Sequence, residues 1–342
     1  MSHWNIGIKE CQTDREYNKV KTLLRNNGLE LEKNIDKTFI IMDNDKLIAT
    51  ASIEKNIFKS IAIDKDYRGQ GLLNILITEL KNYLIFKGEE TAFVYTHIEN
   101  IEEFKSLGFK ELAKIDDYPV LLEDSLDGIE HFRKKIKEKV DSKKELINKE
   151  NLKLTSLVMN CNPFTKGHLF LIDKAANEND LVLIFVVEEE LSYFSFNTRY
   201  NLIKKGTEHL DNLILVPGGD YIISYATFPD YFTKNKRKSD KIENFCRLDA
   251  RIFGKYFGKY LKINSRYIGR EPHSHVTSIY NQILKSELPT YGIIVKEIPR
   301  IKSKDNVISA SLVRKYINNK EWKKIKPLVP ETTYEYIINN LA

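Results

Sequence analysis

The sequence predicts an α/β protein: a mixed α/β domain followed by a doubly wound parallel sheet, and three observations predict it. In the second half, continuous apolar runs alternate with segments whose apolar residues recur at helical spacing, the pattern of a parallel sheet buried on both faces. Strands and helices alternate independently in the first 125 residues, where a glycine-rich turn precedes a long amphipathic helix. The 342 residues also exceed the usual size of one domain. Domains are therefore expected at residues 1–125 and 153–342, with residues 126–152 as a connector.

Taken in order, Glu16–Asn27 reads as a helix, and Lys37–Met42 and Leu47–Ile53 as strands joined by the turn Asp43-Asn44-Asp45. Ser60–Ile63 is a further strand. Asp66-Tyr67-Arg68-Gly69-Gln70-Gly71-Leu72 follows, opening an amphipathic helix through Ile85. Glycines between a strand and a helix, with Arg68 beside them, make a nest of backbone N–H groups for a pyrophosphate; a plain structural turn has the same pattern. Thr91–Thr96 is a strand, and Asn100–Phe109 a short helix that ends at Gly108. From Gly128 to Leu152 Lys, Glu and Asp dominate. Phe132, Ile136, Val140 and Leu146 recur there at roughly helical spacing, as in a charged helix packed along one side.

The second domain reads as strand Leu154–Met159, a helix to about Asn177, strand Leu181–Val187, helix Arg199–Leu210 and strand Leu213–Val216. Asp240–Tyr260 is helical, Arg266–Gly269 a strand, Val276–Lys285 a helix and Ile293–Ile298 the closing strand. Ligands of such folds gather at the carboxyl ends of the strands. Two motifs fall there. After the first strand, the turn Asn160–Pro163 leads to Thr165-Lys166-Gly167-His168 and a helix with Leu169, Leu171, Ile172 and Ala176 inward. A helix start presents unpaired N–H groups and a positive dipole end to phosphate oxygens; Gly167 lets backbone come close, and His168 projects to the same spot. Near the C-terminus Ile308-Ser309-Ala310-Ser311-Leu312-Val313-Arg314 opens a second helix, with Leu312, Val313, Tyr316 and Ile317 at helical spacing. Ser309 and Ser311 can cap it and donate to phosphate, and Arg314 offers a fork of donors. A capped helix with a surface arginine is the plainer account of that segment by itself.

Together the two motifs resemble the nucleotidylyltransferase superfamily, in which a T/H-x-G-H loop and an I-S-x-S/T-x-x-R helix start clamp the triphosphate of ATP. The resemblance narrows to the citrate lyase ligase family on Asn160, Asn162-Pro163-Phe164-Thr165, Gly167-His168, Phe194-Ser195-Phe196 with Arg199, and Asp220-Tyr221-Ile222-Ile223-Ser224. Ala226-Thr227-Phe228-Pro229, Tyr231-Phe232, Gly269-Arg270-Glu271-Pro272, Val276-Thr277, Tyr280-Asn281, Glu297-Ile298-Pro299-Arg300 and Ile308–Arg314 extend it. It runs from about Leu154 to Ile317. The first domain resembles the GNAT acetyltransferase fold through Arg68-Gly69-Gln70-Gly71, although Leu73 stands where that family carries a small residue.

The resemblance implies a GNAT-like domain followed by a Rossmann-like nucleotidylyltransferase domain. It implies ATP and Mg2+ as cofactors, the metal carried by the nucleotide phosphates, and a reaction that joins acetate to ATP as acetyl-adenylate. The acetyl group then passes to the thiol of the phosphoribosyl-dephospho-coenzyme A group on the citrate lyase acyl carrier subunit, leaving AMP and pyrophosphate. His168, Thr165 and Arg314 are the expected catalytic residues, and Asn162, Phe164, Thr165, Gly167, His168, Ser309, Ser311 and Arg314 the nucleotide contacts. Arg199, Ser224, Thr227 and Phe228 are the expected acetate pocket; Arg68, Gly69 and Gly71 would dock a coenzyme A-like arm without transferring acetyl themselves. A nucleotidylyltransferase making a dinucleotide such as dephospho-coenzyme A, and a non-catalytic ATP-binding scaffold, fit the same clamp. Acetate-dependent AMP release separates them.

Composition agrees with a small anionic ligand. The net charge of +6 is mild for a nucleic-acid binder, no apolar run reaches the length of a membrane span, and the start MSHWNIGIKE is no signal peptide. Cys11, Cys161 and Cys246 are far apart and give neither a disulfide framework nor zinc spacing, so a reducing cytoplasm is expected. The most basic run, Lys234–Lys241 with Lys236, Arg237 and Lys238, reads as a solvated loop or a contact for an acidic protein patch. His273 and His275 lack the company of a metal site and read as surface loop.

Overall fold

A computed structural model describes residues 7–115, 119–188, 192–228, 239–271, 274–303 and 306–342. Pro229, Tyr231, Phe232, Lys234, Lys236, Arg237, Lys238, Pro272 and His273 lie outside the described residues. The chain divides into two compact units, Met1–Gly128 and Ile129–Ala342.

In the first unit β1 (Ile8–Glu10), β2 (Lys37–Asp43), β3 (Lys46–Glu54), β4 (Ile57–Ile63), β5 (Thr91–Thr96), β6 (Lys110–Ala113) and β7 (Val120–Ser125) form a seven-stranded sheet in the order β1-β2-β3-β4-β5-β7-β6. Strand alternation divides its residues between two faces. Phe39 and Ile41 meet α2 (Leu72–Phe86), which buries Leu72, Leu76, Leu80 and Leu84 at four-residue spacing. Ile40, Leu47 and Ala62 meet Val20, Leu23 and Leu24 of α1 (Asp14–Asn26), whose start is fixed by a capping box between Thr13 and Glu16. The strand expected at Ser60–Ile63 begins earlier, at Ile57. Ser60 has φ +50 and the ladder to β3 shifts register between Thr50 and Ser52, so the alternation is interrupted and only the second half reads as a strand. The parallel pairing of β4 with β5 holds at Ile57–Phe93 and Phe58–Val94 only.

The second unit is a five-stranded, wholly parallel sheet of β8 (Leu154–Met159), β9 (Leu181–Val186), β10 (Leu213–Pro217), β11 (Ser265–Gly269) and β12 (Ile294–Ile298), in the order β10-β9-β8-β11-β12. All six residues of β9 are buried, as covering on both faces requires. Leu157, Val182 and Ile184 pack on one face with α5 (Lys166–Glu178) and α6 (Phe196–Gly206) through Ile172, Ala175, Leu202 and Ile203. On the other face Phe185 meets Phe253 and Phe257 edge-on. α4 (Gly128–Ile147) belongs to this unit from Ile129 on; its Phe132 ring lies 5.3 Å from Tyr221 and 5.8 Å from Phe257.

The helix expected over Asp240–Tyr260 is interrupted. α7 (Ser239–Ile252) widens into a π-helical turn, Phe253–Gly258, before Lys259–Leu261. Gly254 and Gly258 lie against Tyr291 and Ile293, where an added Cβ would come within 2.4 and 2.3 Å. α8 (His275–Glu287) follows β11, and α9 (Ala310–Asn318), α10 (Trp322–Ile325) and α11 (Glu331–Leu341) close the chain around Val313, Ile317, Ile325, Leu328 and Ile337. The short antiparallel strands β13 (Lys302–Ser303) and β14 (Asn306–Val307) precede α9.

Gly206, at the end of α6, is also tight: a Cβ there would lie 2.5 Å from Phe164, a fully buried ring. Gly206→Ala is expected to destabilise the protein by about 1–3 kcal/mol, measured by urea unfolding, because the Phe164 ring has no free space to retreat into.

Candidate active site

The first motif is a helix start closed on itself. Thr165, in extended conformation, caps α5: its Oγ1 accepts the His168 N–H at 3.4 Å, while His168 Nδ1 accepts the Thr165 N–H at 3.1 Å. Nδ1 therefore carries no proton, and the neutral ring is assigned the Nε2–H tautomer. The ring lies parallel to Phe164, with centroids 6.2 Å apart. Burial, aided by the positive charge of Arg300, pushes the His168 pKa from its ordinary 6.5 down to about 4. At neutral pH His168 is thus an uncharged donor, and Nε2 has no partner among the described residues.

The helix start offers fewer free donors than the sequence led one to expect. Lys166 N–H donates to the Leu328 carbonyl at 2.9 Å and His168 N–H to Thr165, which leaves Gly167 N–H open among the first-turn groups. Thr165 is 2% exposed and its hydroxyl is spent on the cap, so its contribution is to hold the histidine.

The second motif comes to the first. Ser309 caps α9 by accepting Leu312 N–H at 3.2 Å. Ile308 lies along Gly167: a Cβ on that glycine would stand 3.6 Å from the Ile308 carbonyl oxygen. The glycine's smallness thus admits the chain itself. Arg314 Nη1 donates to the Asn162 carbonyl and Nη2 to Ser311 Oγ at 3.3 Å. Asn162 is fixed from the other side, where its Oδ1 accepts Phe194 N–H at 3.1 Å. Burial lowers the Arg314 pKa, but a guanidinium stays charged at any working pH. Asn162, Gly167, His168, Ser309, Ser311 and Arg314 therefore come together beside the carboxyl end of β8, with Phe164 and Thr165 buried.

The expected acetate residues divide. Arg199 is fully buried and donates to the Val187, Asn160 and Phe194 carbonyls at 2.6, 2.9 and 3.0 Å and to Asn160 Oδ1 at 2.8 Å, a clip for the loop ends. Ser224, Thr227 and Phe228 lie together beside Asp249 and Tyr280: Thr227 Oγ1 donates to Asp249 at 3.0 Å and the Phe228 ring lies 5.7 Å from Tyr280. In the first unit Gly69 and Gly71 have φ +73 and +78, α2 starts without a side-chain cap, and Arg68 donates to Asn27 at 2.7 Å. The Leu73 side chain packs on the core, so the branched residue is drawn inward.

Sequence reasoning missed two features. Arg300, which acts on His168, is paired with Glu271 and donates to the Arg270 carbonyl at 2.8 Å. Asp249, Tyr280 and Arg266 form a buried cluster, for which an arginine inside an otherwise closed strand was the available signal. Among the described residues no group of three His, Cys, Asp or Glu side chains is placed to hold a metal ion, and no helix is long and apolar enough to cross a membrane.

Comparison with known proteins adds the following. A family model described as the citrate lyase ligase C-terminal domain matches residues 154–337, and one described as the acetyltransferase (GNAT) family matches residues 7–109. The [citrate [pro-3S]-lyase] ligase of Haemophilus influenzae is 35% identical over 325 residues, covering 93% of this chain and 94% of that protein. Its counterpart from Escherichia coli K12 is 34% identical over 330 residues, covering 94% and 90%. Among solved structures, the ribosomal-protein-S18-alanine N-acetyltransferase of Escherichia coli aligns with 35% of this chain and 94% of its own, at 20% identity and a TM-score of 0.30.

Because His168 is neutral in the fold at a pH where the unfolded chain takes up a proton, its contribution to stability is complete above pH 6.5 and is lost as the pH falls toward 4. Imidazole 15N shifts of the nucleotide-free protein should give a His168 midpoint near 4 and the Nε2–H tautomer above it. A midpoint at or above 6.5 would contradict the buried, neutral ring.

Proposed function

The chain belongs to the citrate lyase ligase family, and we propose that it uses ATP to acetylate the thiol of the coenzyme A-like group on the citrate lyase acyl carrier subunit, thereby activating the lyase. The observation that carries this reading is the meeting of two distant helix starts, Thr165–His168 and Ser309–Arg314, across Ile308 and Asn162. Relatives 34–35% identical that bear the name [citrate [pro-3S]-lyase] ligase support the choice of acceptor.

In the first half-reaction one carboxylate oxygen of acetate bonds to the α-phosphorus of ATP, and the bond to the bridging oxygen breaks with its electron pair leaving on pyrophosphate. Such transfer needs alignment and a home for shifting negative charge more than covalent help. His168 Nε2–H and Gly167 N–H donate to the α-phosphate oxygens, where charge gathers in the transition state. Arg314, Ser311 and the open N–H groups at the start of α9 hold the β- and γ-phosphates. Magnesium would be carried by the nucleotide phosphates, where it would neutralise part of their charge. In the second half-reaction the carrier thiolate attacks the acyl carbon of acetyl-adenylate, AMP leaves, and a thioester results.

Residues 153–342 form the adenylating domain in this scheme, residues 126–152 lead into it, and residues 1–125 receive the coenzyme A-like arm at Arg68-Gly69-Gln70-Gly71. A cytoplasmic setting suits the three cysteines, which are unpaired and buried.

Incubating the protein with ATP, Mg2+, acetate and the deacetylated carrier should add one acetyl group to the carrier by mass spectrometry, with stoichiometric AMP. AMP retained in a dinucleotide, or ATP binding with no turnover, would overturn the reading. His168→Ala is expected to keep ATP affinity and cut acetate-dependent pyrophosphate release about a hundredfold, or ~3 kcal/mol of transition-state stabilisation. Gly71→Asp, which sets a carboxylate at the nest, should slow transfer to the carrier about tenfold and leave acetyl-adenylate formation unchanged.

A further inference from the structure

β8 and β11 are neighbours where the strand order reverses, the place at which open parallel sheets take their ligands. Their paired registers are Thr155–Ser265 and Ser156–Arg266, while β8 continues to Met159 and β11 to Gly269. Arg266 thus stands at the last paired step, just below where the two strands part, with its guanidinium on the sheet face that carries Phe253 and Tyr280.

This arginine is unusual in its surroundings. It is 1% exposed, with its guanidinium 4.4 Å from the centroid of Phe253 and 5.7 Å from that of Tyr280. Nη2 donates to the Tyr280 hydroxyl at 3.1 Å, whereas Nε and Nη1, both buried, have no hydrogen-bond partner among the described residues. The neighbouring carboxylate does not neutralise it directly. Asp249 Oδ1 accepts Ile223 N–H at 2.8 Å and Thr227 Oγ1 at 3.0 Å, and Oδ2 accepts the Tyr280 hydroxyl at 2.5 Å. The Tyr280 hydroxyl bridges the two groups by hydrogen bonds, while the guanidinium's positive charge acts on Asp249 through space. A buried cation with idle donors is costly unless something with complementary oxygens completes it.

We propose that Arg266 anchors the carboxylate of the small acid substrate, with Tyr280 and Asp249 holding the guanidinium in place. The inference rests on the acid-activating reaction above and names where its acid binds. A planar carboxylate matches guanidinium donors, and the aromatic rings around Arg266 suit a methyl group and leave a long chain no course. One carboxylate oxygen stays on Arg266 while the other bonds to the α-phosphorus, so the anchor sets the angle of attack. Specificity for a short acid follows from that enclosure.

The test is acetate-dependent ATP–pyrophosphate exchange over a range of acetate concentrations, with ATP affinity measured by calorimetry. Arg266→Gln should raise the KM for acetate about a hundredfold and Arg266→Lys about tenfold, with ATP affinity and far-UV circular dichroism unchanged. Tyr280→Phe keeps the packing and should raise the same KM severalfold; it carries the test if the Arg266 variants do not fold. Line broadening of [1-13C]acetate reads the anchor without turnover: broadening by the wild type that is lost in Arg266→Lys or Tyr280→Phe supports it. An unchanged acetate KM and unchanged broadening would overturn the proposal and leave a structural arginine completed by buried water. Absence of exchange by the wild type, with acetate broadening intact, would sink the adenylation reading and spare the anchor.

Discussion

The Arg314 guanidinium donates to the backbone carbonyl of Asn162 across 152 positions of sequence, and the meeting of the two motifs depends on that contact. Neither motif is a site alone. The first is a capped turn between β8 and α5; the second is a capped helix far along the chain. Ile308 against Gly167, and the Leu328 carbonyl on Lys166 N–H, fix the same helix start from two further points. Each contact consumes a donor or covers backbone, so rigidity is gained by narrowing what the helix start can offer a phosphate. Gly167 N–H and His168 Nε2–H are what the narrowing leaves.

The sequence made the parallel sheet legible because strands buried on both faces carry apolar runs that nothing else of that length explains; Leu181–Val186 is the clearest. Helix starts were readable where a hydroxyl residue caps them, as at Thr165 and Ser309, but Ser195 was passed over and α6 begins at Phe196, three residues before the expected Arg199. Residue pattern reports which face is buried and says little of partners. Arg199 has the charge to bind a carboxylate, yet its donors go to backbone carbonyls that the loop ends would otherwise bury unpaired. Thr165 similarly has the hydroxyl for phosphate and gives it to His168. The π-helical turn was hidden because its cause, the approach of Tyr291 and Ile293 to Gly254 and Gly258, is tertiary.

Both units use one geometric device. A parallel strand pair is paired over two residues and then parts: β4 with β5 in the first, β8 with β11 in the second. Right-handed twist tends to separate parallel neighbours toward their carboxyl ends, and a helix start lies just beyond each of the earlier strands. Backbone groups freed along the parted edges and at those starts are donors without helical partners. The buried hydroxyls of Thr155, Ser156 and Ser265 at the paired steps satisfy one another and the adjacent backbone, whereas Arg266 beside them keeps donors unspent.

Charge assignment at this site follows from crowding. Arg314 is permanently cationic, and the positive charge of Arg300 is felt at His168. A third cation on the same spot would be repelled by the others at short range through a poorly screening interior, and desolvation opposes it further. A neutral imidazole avoids that cost while still presenting one N–H. When a polyphosphate enters, its negative charge reverses the balance, so the ring's proton affinity must rise on binding by linkage. In the proposed adenylation the His168 N–H would then act on the α-phosphate oxygens most strongly when their charge is largest, at the transition state.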